Sequence, residues 1–140
     1  MNKPNNVTSL LPPPPVVIQS EWFWGTSIHV VAADGKALVK MVMDKDNKDE
    51  CEIYDLNTHH SCRNKGYATM LMKEVENIAR NRNVKRLYLW TKHGSWMEKW
   101  YRRMGFETED FREPPNKETI WMVKFLSLPE YCSSPHLKKK

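Results

Sequence analysis

The hexapeptide Arg63-Asn64-Lys65-Gly66-Tyr67-Ala68 decides how this chain is read, because it lies between a strand-like segment and a strongly helical one. A glycine at such a junction lets the backbone approach an anion with no Cβ in the way. The helix that follows presents unpaired N–H groups and a partial positive charge at its start. Upstream, Cys51-Glu52-Ile53-Tyr54-Asp55-Leu56-Asn57-Thr58 reads as the strand that enters the loop. Downstream, Ala68, Leu71, Met72, Val75, Ile78 and Ala79 recur at i, i+3, i+4 spacing with Lys73, Glu76, Asn77 and Arg80 outside them, which predicts an amphipathic helix. Arg82-Asn83 ends it, and residues 84–90, with the apolar run Leu87-Tyr88-Leu89-Trp90, read as the next strand. Strand, helix, strand in this order implies a parallel crossover. The loop is neither a Walker A sequence nor a dinucleotide fingerprint, since GK[ST] and GxGxxG are both missing from it.

Outward from this unit, Trp22-Phe23-Trp24 and Ile28-His29-Val30-Val31 read as strand, and Ala33-Asp34-Gly35-Lys36 supplies a hairpin turn. The partner strand covers residues 37–43. The polar residues 44–50 form the next turn, which lacks the glycine and the distant bidentate glutamate of a calcium loop. A second helix fits residues 95–104, with Ser95 as N-cap, Glu98 completing a capping box and Gly105 as terminator. Residues 106–111 and 119–126 are the last two strand candidates, joined across Pro114-Pro115. The sum is an α+β fold with a mixed central sheet: an antiparallel meander, a βαβ unit and a C-terminal hairpin.

A chain of 140 residues forms one domain with one principal site. Lys and Arg number 22 against 17 for Asp and Glu, a net charge of +5 that suits an anionic ligand without the density of a dedicated nucleic-acid binder. Cys51, Cys62 and Cys132 include no CxxC pair, which excludes a disulfide framework or zinc ribbon and suits a reducing, cytoplasmic setting. No leader-like segment opens the sequence and no apolar run approaches a membrane span, so no membrane association is expected. His59-His60-Ser61-Cys62 offers three metal-ligand types, yet no second cluster sits at ligand spacing, and no metal is expected.

With Tyr101-Arg102-Arg103-Met104-Gly105-Phe106 some forty residues beyond it, the Gly66 loop resembles the GNAT superfamily of N-acetyltransferases. The family pattern of Arg or Gln, two residues, Gly, one residue, then Gly or Ala is met by Arg63, Gly66 and Ala68. The resemblance implies that Arg63, Asn64, Lys65, Gly66, Tyr67 and Ala68 bind the diphosphate of acetyl-CoA, with Thr69 as an added donor. It further implies that Leu56, Asn57 and Thr58 pair with the pantetheine arm where this strand splays from its parallel neighbour. Tyr101 matches the family's general acid, which protonates the leaving thiolate. Glu52, 14 residues before Gly66 as in the histone-acetylating branch, matches a general base, with Asp55 in reserve. Where many relatives carry an asparagine seven residues before the tyrosine, this chain has Gly94.

The resemblance spans residues 22–125 and divides the chain into a proline-rich N-terminal tail (1–20), an acetyltransferase domain (21–128) and a basic C-terminal tail (129–140). Most relatives begin with a strand and one or two helices that wall the acceptor site, whereas here a proline-rich tail precedes the first clear strand. An open site favours a lysine or terminal amine on a protein, or a homodimer in which a partner subunit completes the pocket. The alternatives are a small-molecule amine such as a polyamine or aminoglycoside, and a non-catalytic module that holds CoA or a protein. Nucleic-acid binding through Lys65, Arg80, Arg82, Lys85, Arg86 and residues 138–140 is the weaker reading beside solvated helix and turn faces. The aromatics Trp22, Phe23, Trp24, Trp90, Trp96, Trp100 and Trp121 flank the proposed cleft in sequence, most as core and one or two as an acceptor wall.

Overall fold

The computed structural model describes residues 13–126. Seven strands form one sheet: β1 Val16–Trp22, β2 Gly25–Val31, β3 Ala37–Asp44, β4 Asn47–Thr58, β5 Arg86–Lys92, β6 Glu107–Glu109 and β7 Thr119–Phe125. Two helices, α1 Tyr67–Asn81 and α2 Trp96–Arg103, and a 3-10 turn at His60–Cys62 complete the fold. The sheet order is β1-β2-β3-β4-β5-β7-β6. Every neighbouring pair is antiparallel except β4 with β5, so the expected meander, crossover and final hairpin are all present.

The proline-rich tail is shorter than expected. Residues 16–20, assigned to the tail, are sheet: Val16, Val17 and Ile18 pair with Val31, Val30 and His29 as β1. The three β-branched residues favour the pleated strand, and the prolines before them mask the signal. Trp22 closes this strand, and Phe23-Trp24 is the turn into β2, with the Lys45 N–H donating to the Trp24 carbonyl at 2.9 Å. β4 likewise starts at Asn47 and not at Cys51, because pairing of Asp44 with Asn47 shrinks the polar turn to Lys45-Asp46. Ladder hydrogen bonds are made by the backbone and are indifferent to the polarity of exposed side chains. Residues 1–12 of that tail, residues 127–128 and the whole C-terminal tail 129–140, with Cys132 and the terminal lysines, lie outside the described residues.

Both helices pack on one face of the sheet. Leu71 and Val75 of α1, and Tyr101 of α2 with Phe106, share a core cluster with Cys51, Ile53, Leu87, Leu89 and Met122. Cross-strand partners point to the same face, so the register row Ser27, Val42, Glu52, Tyr88, Val123 crosses the sheet on its other face. Among the described residues no helix covers that second face, since β1 passes to β2 through two residues. No helix there is long and apolar enough to cross a membrane.

Two irregularities in β4 shape the site. Its parallel pairing with β5 ends after Glu50, Cys51 and Glu52, which oppose Arg86, Leu87 and Tyr88. Beyond Glu52 the two strands diverge. Against β3, Tyr54 pairs with Lys40 and Asn57 with Leu38, so β4 spends one residue more than its partner over this interval. The extra residue is accommodated at Asp55, whose φ of 56° lies in the left-handed region that Asp tolerates better than most residues.

Candidate active site

The chain enters the Gly66 loop through the 3-10 turn, which His59 caps by accepting the Ser61 N–H; the His59 and His60 rings stack 4.4 Å apart. Asn64 at φ 65° and Gly66 at φ 84° then turn the backbone through two left-handed residues into α1. Successive N–H groups in such a turn converge on a concave surface suited to an anion. No side chain caps the helix. The first helical bond runs from Met70 N–H to the Gly66 carbonyl, leaving the N–H groups of Tyr67, Ala68 and Thr69 without an acceptor among the described residues.

The cradle is braced from two sides. The Tyr67 hydroxyl donates to the Asp34 carboxylate at 2.5 Å, tying the start of α1 to the β2–β3 turn. That bond pushes the Tyr67 hydroxyl up to about 12 and holds Asp34 below the usual carboxylate range. The His59 N–H also donates to the Lys36 carbonyl at 2.7 Å, and Arg63 Nε reaches the Thr58 carbonyl at 3.4 Å.

A cleft of about 760 Å³ opens in front of the cradle, and all the residues assigned to cofactor binding except Lys65 line it: Leu56, Asn57, Thr58, Arg63, Asn64, Gly66, Tyr67, Ala68 and Thr69. Its opposite wall is α2, through Trp96, Met97, Trp100 and Arg103. Sequence reasoning missed Arg103 as a lining residue. Trp96, Trp100 and Arg103 recur at i, i+4, i+7, so their common helix face was readable once one residue was placed at the cleft.

A second cavity of about 500 Å³, also lined by Leu56, lies in the gap between the diverging strands. Val42, Glu52, Tyr54 and Trp90 line it from the helix-free face, and Ile53, Leu89 and Tyr101 from the helix face. Glu52 and Tyr101 are thus brought together from opposite sides of the sheet. Arg63 and Tyr101, 38 positions apart in the chain, border two cavities that share Leu56 as a wall.

The three carboxylates of β4 beside this gap have different partners. Glu50 is bound by Arg86 at 3.4 Å and by Arg112, and Asp55 by Lys40 at 3.1 Å. Among the described residues no cation or donor binds Glu52, and burial pushes its carboxyl above the ordinary range while the Arg112 charge opposes the rise. An ordinary strand-edge pair with a lysine, the bland reading of Glu52, fits Asp55 instead.

Tyr101 is 6% exposed, set edge-on to Phe106 at 5.7 Å, and burial alone pushes its hydroxyl up to about 12. It is fixed by a well-capped helix: Ser95 Oγ accepts the Glu98 N–H at 3.3 Å. Glu98 departs from the expected capping box by reaching past Ser95 to the Gly94 N–H at 2.7 Å. That bond, with Arg102, holds Glu98 below the usual range. Gly94, where an asparagine was looked for, therefore serves the turn at φ 80°. Cys62 lines the larger cleft and His59 does not, and among the described residues no group of ligands has metal-site geometry.

Many solved structures share this fold. One is a GNAT family acetyltransferase from Elizabethkingia anophelis with acetyl-CoA bound, 18% identical over 74% of this chain and 77% of that one, with a TM-score of 0.57. Another is a GNAT family acetyltransferase from Staphylococcus aureus Mu50, 14% identical over 74% of this chain and 68% of that one, with a TM-score of 0.59. The PaiA N-acetyltransferase of Thermoplasma acidophilum, in complex with coenzyme A, is 15% identical over 86% of this chain and 65% of that one, with a TM-score of 0.58. Among curated proteins no sequence matches. The acetyltransferase (GNAT) family model matches residues 7–106, and with the sheet, the splay and the cradle already in place, the chain belongs to the GNAT family of acetyltransferases.

Proposed function

We propose that this chain moves an acetyl group from acetyl-CoA to a primary amine by direct attack in a ternary complex, with Glu52 as base and Tyr101 as acid. One observation carries the reading. Two cavities meet at Leu56, one in front of an anion cradle and one in a gap in the sheet where a carboxylate without a counter-ion faces one side and a buried phenol the other.

The diphosphate of acetyl-CoA fits the free N–H groups of Tyr67, Ala68 and Thr69 at the positive end of α1. Its pantetheine arm fits between the diverging strands, where β4 beyond Glu52 has backbone groups that β5 does not pair. An ammonium acceptor entering from the helix-free face gives its proton to Glu52, and the freed lone pair attacks the thioester carbonyl carbon. The negative charge on the carbonyl oxygen is met by β4 N–H groups in the splay. As the C–S bond breaks, the sulfur takes the Tyr101 proton, and the phenolate regains one from the acetylated nitrogen, leaving an amide and free thiol.

A phenol at about 12 is a weak acid for an ordinary thiolate. The low-polarity surroundings that disfavour the Tyr101 phenolate also disfavour a thiolate released beside it, which raises the basicity of the sulfur in the same sense.

The acceptor we favour is a lysine or terminal amine on a protein. Supporting this, the helix-free face leaves the gap open from the Glu52 side. Tyr54 and Trp90 offer apolar flanks for an alkyl stem, and the nearby cations Lys40 and Arg112 are engaged by Asp55 and Glu50 rather than free to bind a substrate carboxylate. Incubation of a peptide library with isotopically labelled acetyl-CoA, read by mass spectrometry, is expected to place label on amines in peptides. Efficient labelling of free polyamines or aminoglycosides with none on peptides would reverse the assignment.

A further inference from the structure

The segment between β6 and β7, residues 110–118, folds back over the helix-free face and is pinned there by Arg112. The guanidinium lies 3.7 Å from the centroid of the Tyr88 ring and 5.3 Å from that of Trp121. It also binds Glu50, and the Trp121 indole N–H donates to the Glu113 carbonyl at 3.0 Å, closing the clamp. Tyr88 is the register partner of Glu52, and Glu50 precedes Glu52 by one strand repeat on the same face. Arg112 therefore stands beside the proposed base without being its ion-pair partner.

We propose that Arg112 is a positioning residue: clamped between two aromatic rings and Glu50, it keeps a fixed cation and the β6–β7 segment beside Glu52, so that this carboxylate stays ionised yet unpaired. The inference rests on the reading of Glu52 as base for its use in catalysis, but the electrostatic relation can be measured without activity.

Two groups act on Glu52 in opposite senses, burial raising its carboxyl and Arg112 lowering it. Other charged or titratable side chains share this face: Lys40, Tyr54, Arg86 and Tyr88 around Glu52, His29 across from Lys40, and Glu107 and Glu109 on β6. Lys40 is held by Asp55 and Arg86 by Glu50. A lysine could supply the charge, but its flexible stem lacks the planar stacking that fixes an arginine over an aromatic ring.

The test is a carboxyl-carbon NMR titration of Glu52 in the wild type, R112Q and R112K, with the signal assigned by its loss in E52Q. We expect the midpoint to rise by about half a pH unit or more in R112Q, and to move by less than half of that in R112K. An unchanged midpoint in R112Q, or equal shifts in the two variants, overturns the proposal and leaves Arg112 as a structural clamp. A pH–rate profile with a lysine peptide tests the underlying reading separately. If the NMR midpoint moves in R112Q and the rate midpoint does not, Glu52 is not the base, while its coupling to Arg112 stands.

Discussion

Replacing Tyr101 with phenylalanine separates the two jobs that a buried phenol can have. The ring is 6% exposed and packs on Phe106, so removing one oxygen leaves the shape of the core intact. Among the described residues no group forms a hydrogen bond with that oxygen, so near pH 7 stability should change by less than about 1 kcal/mol. Turnover is a different matter, because loss of a positioned acid typically lowers rate by about 10²-fold or more.

Alkaline pH supplies a second signature. The folded-state value, up to about 12 from an ordinary 10.0, is raised, so the contribution to stability is fully present below pH 10 and is lost as pH climbs towards 12. A difference of that size corresponds to about 3 kcal/mol of stability that the wild type loses, and Y101F does not, as pH rises from below 10 to beyond 12. The assay is urea unfolding of wild type and Y101F at pH 8, 10 and 11.5, beside acetyl-CoA binding by calorimetry and turnover by thiol release. The expected pattern is equal affinity, turnover down by about 10²-fold, and a stability difference between the proteins that shifts towards Y101F only above pH 10. Unchanged turnover removes Tyr101 from the mechanism, and a stability difference independent of pH shows that the hydroxyl is not desolvated.

Glu52→Gln should abolish the rise of kcat/KM with pH through the carboxyl midpoint. Since that midpoint is raised in the folded protein, its stabilising contribution is lost above it, and E52Q should be more stable than wild type at pH 7. Loss of activity without a stability gain would contradict the burial argument. Gly66→Val forces a β-branched residue into a left-handed backbone at φ 84°, at a cost of about 1–2 kcal/mol. Acetyl-CoA affinity by calorimetry should fall by about tenfold, and an unchanged dissociation constant would rule out the cradle. Ser95→Ala removes the cap of α2 and should cost about 1 kcal/mol in urea unfolding. Gly25→Ala places a Cβ 2.1 Å from the Met43 carbonyl oxygen and should destabilise by about 3 kcal/mol, with no loss if β2 and β3 can move apart freely.

The elements most legible in the sequence were those with strong periodicity or a distinctive loop. The apolar spacing of α1 and the turn at Gly66 needed no tertiary information, and the cap at Ser95 was readable from residue type and spacing alone. β1 was hidden because Val16-Val17-Ile18 follows a proline run, and pairing with a partner strand outweighs local composition. The polar start of β4 was hidden for the same reason. Glu52 could be placed in the strand, but that it lacks a cation while its neighbours Glu50 and Asp55 have one depends on where Lys40, Arg86 and Arg112 end up. Arg112 is 60 positions from Glu52, and no local pattern joins them. The α2 wall of the cofactor lobe was half visible, its helix plain in the sequence and its facing direction set only by docking on the sheet.

The added residue at Asp55 makes β4 a strand of two phases. Glu52 and Tyr54 occupy one face before it, and Asn57 takes that face after it, so Leu56 turns instead towards the helices. One unit of chain length, at an aspartate that tolerates the left-handed backbone, thereby turns the front half of the strand to one cavity and the rear half to the other. Deleting Asp55 would restore a plain alternation and rotate the whole segment leading into the Gly66 loop. The spacing of 14 residues between Glu52 and Gly66 therefore includes the one residue that sets the phase of the strand.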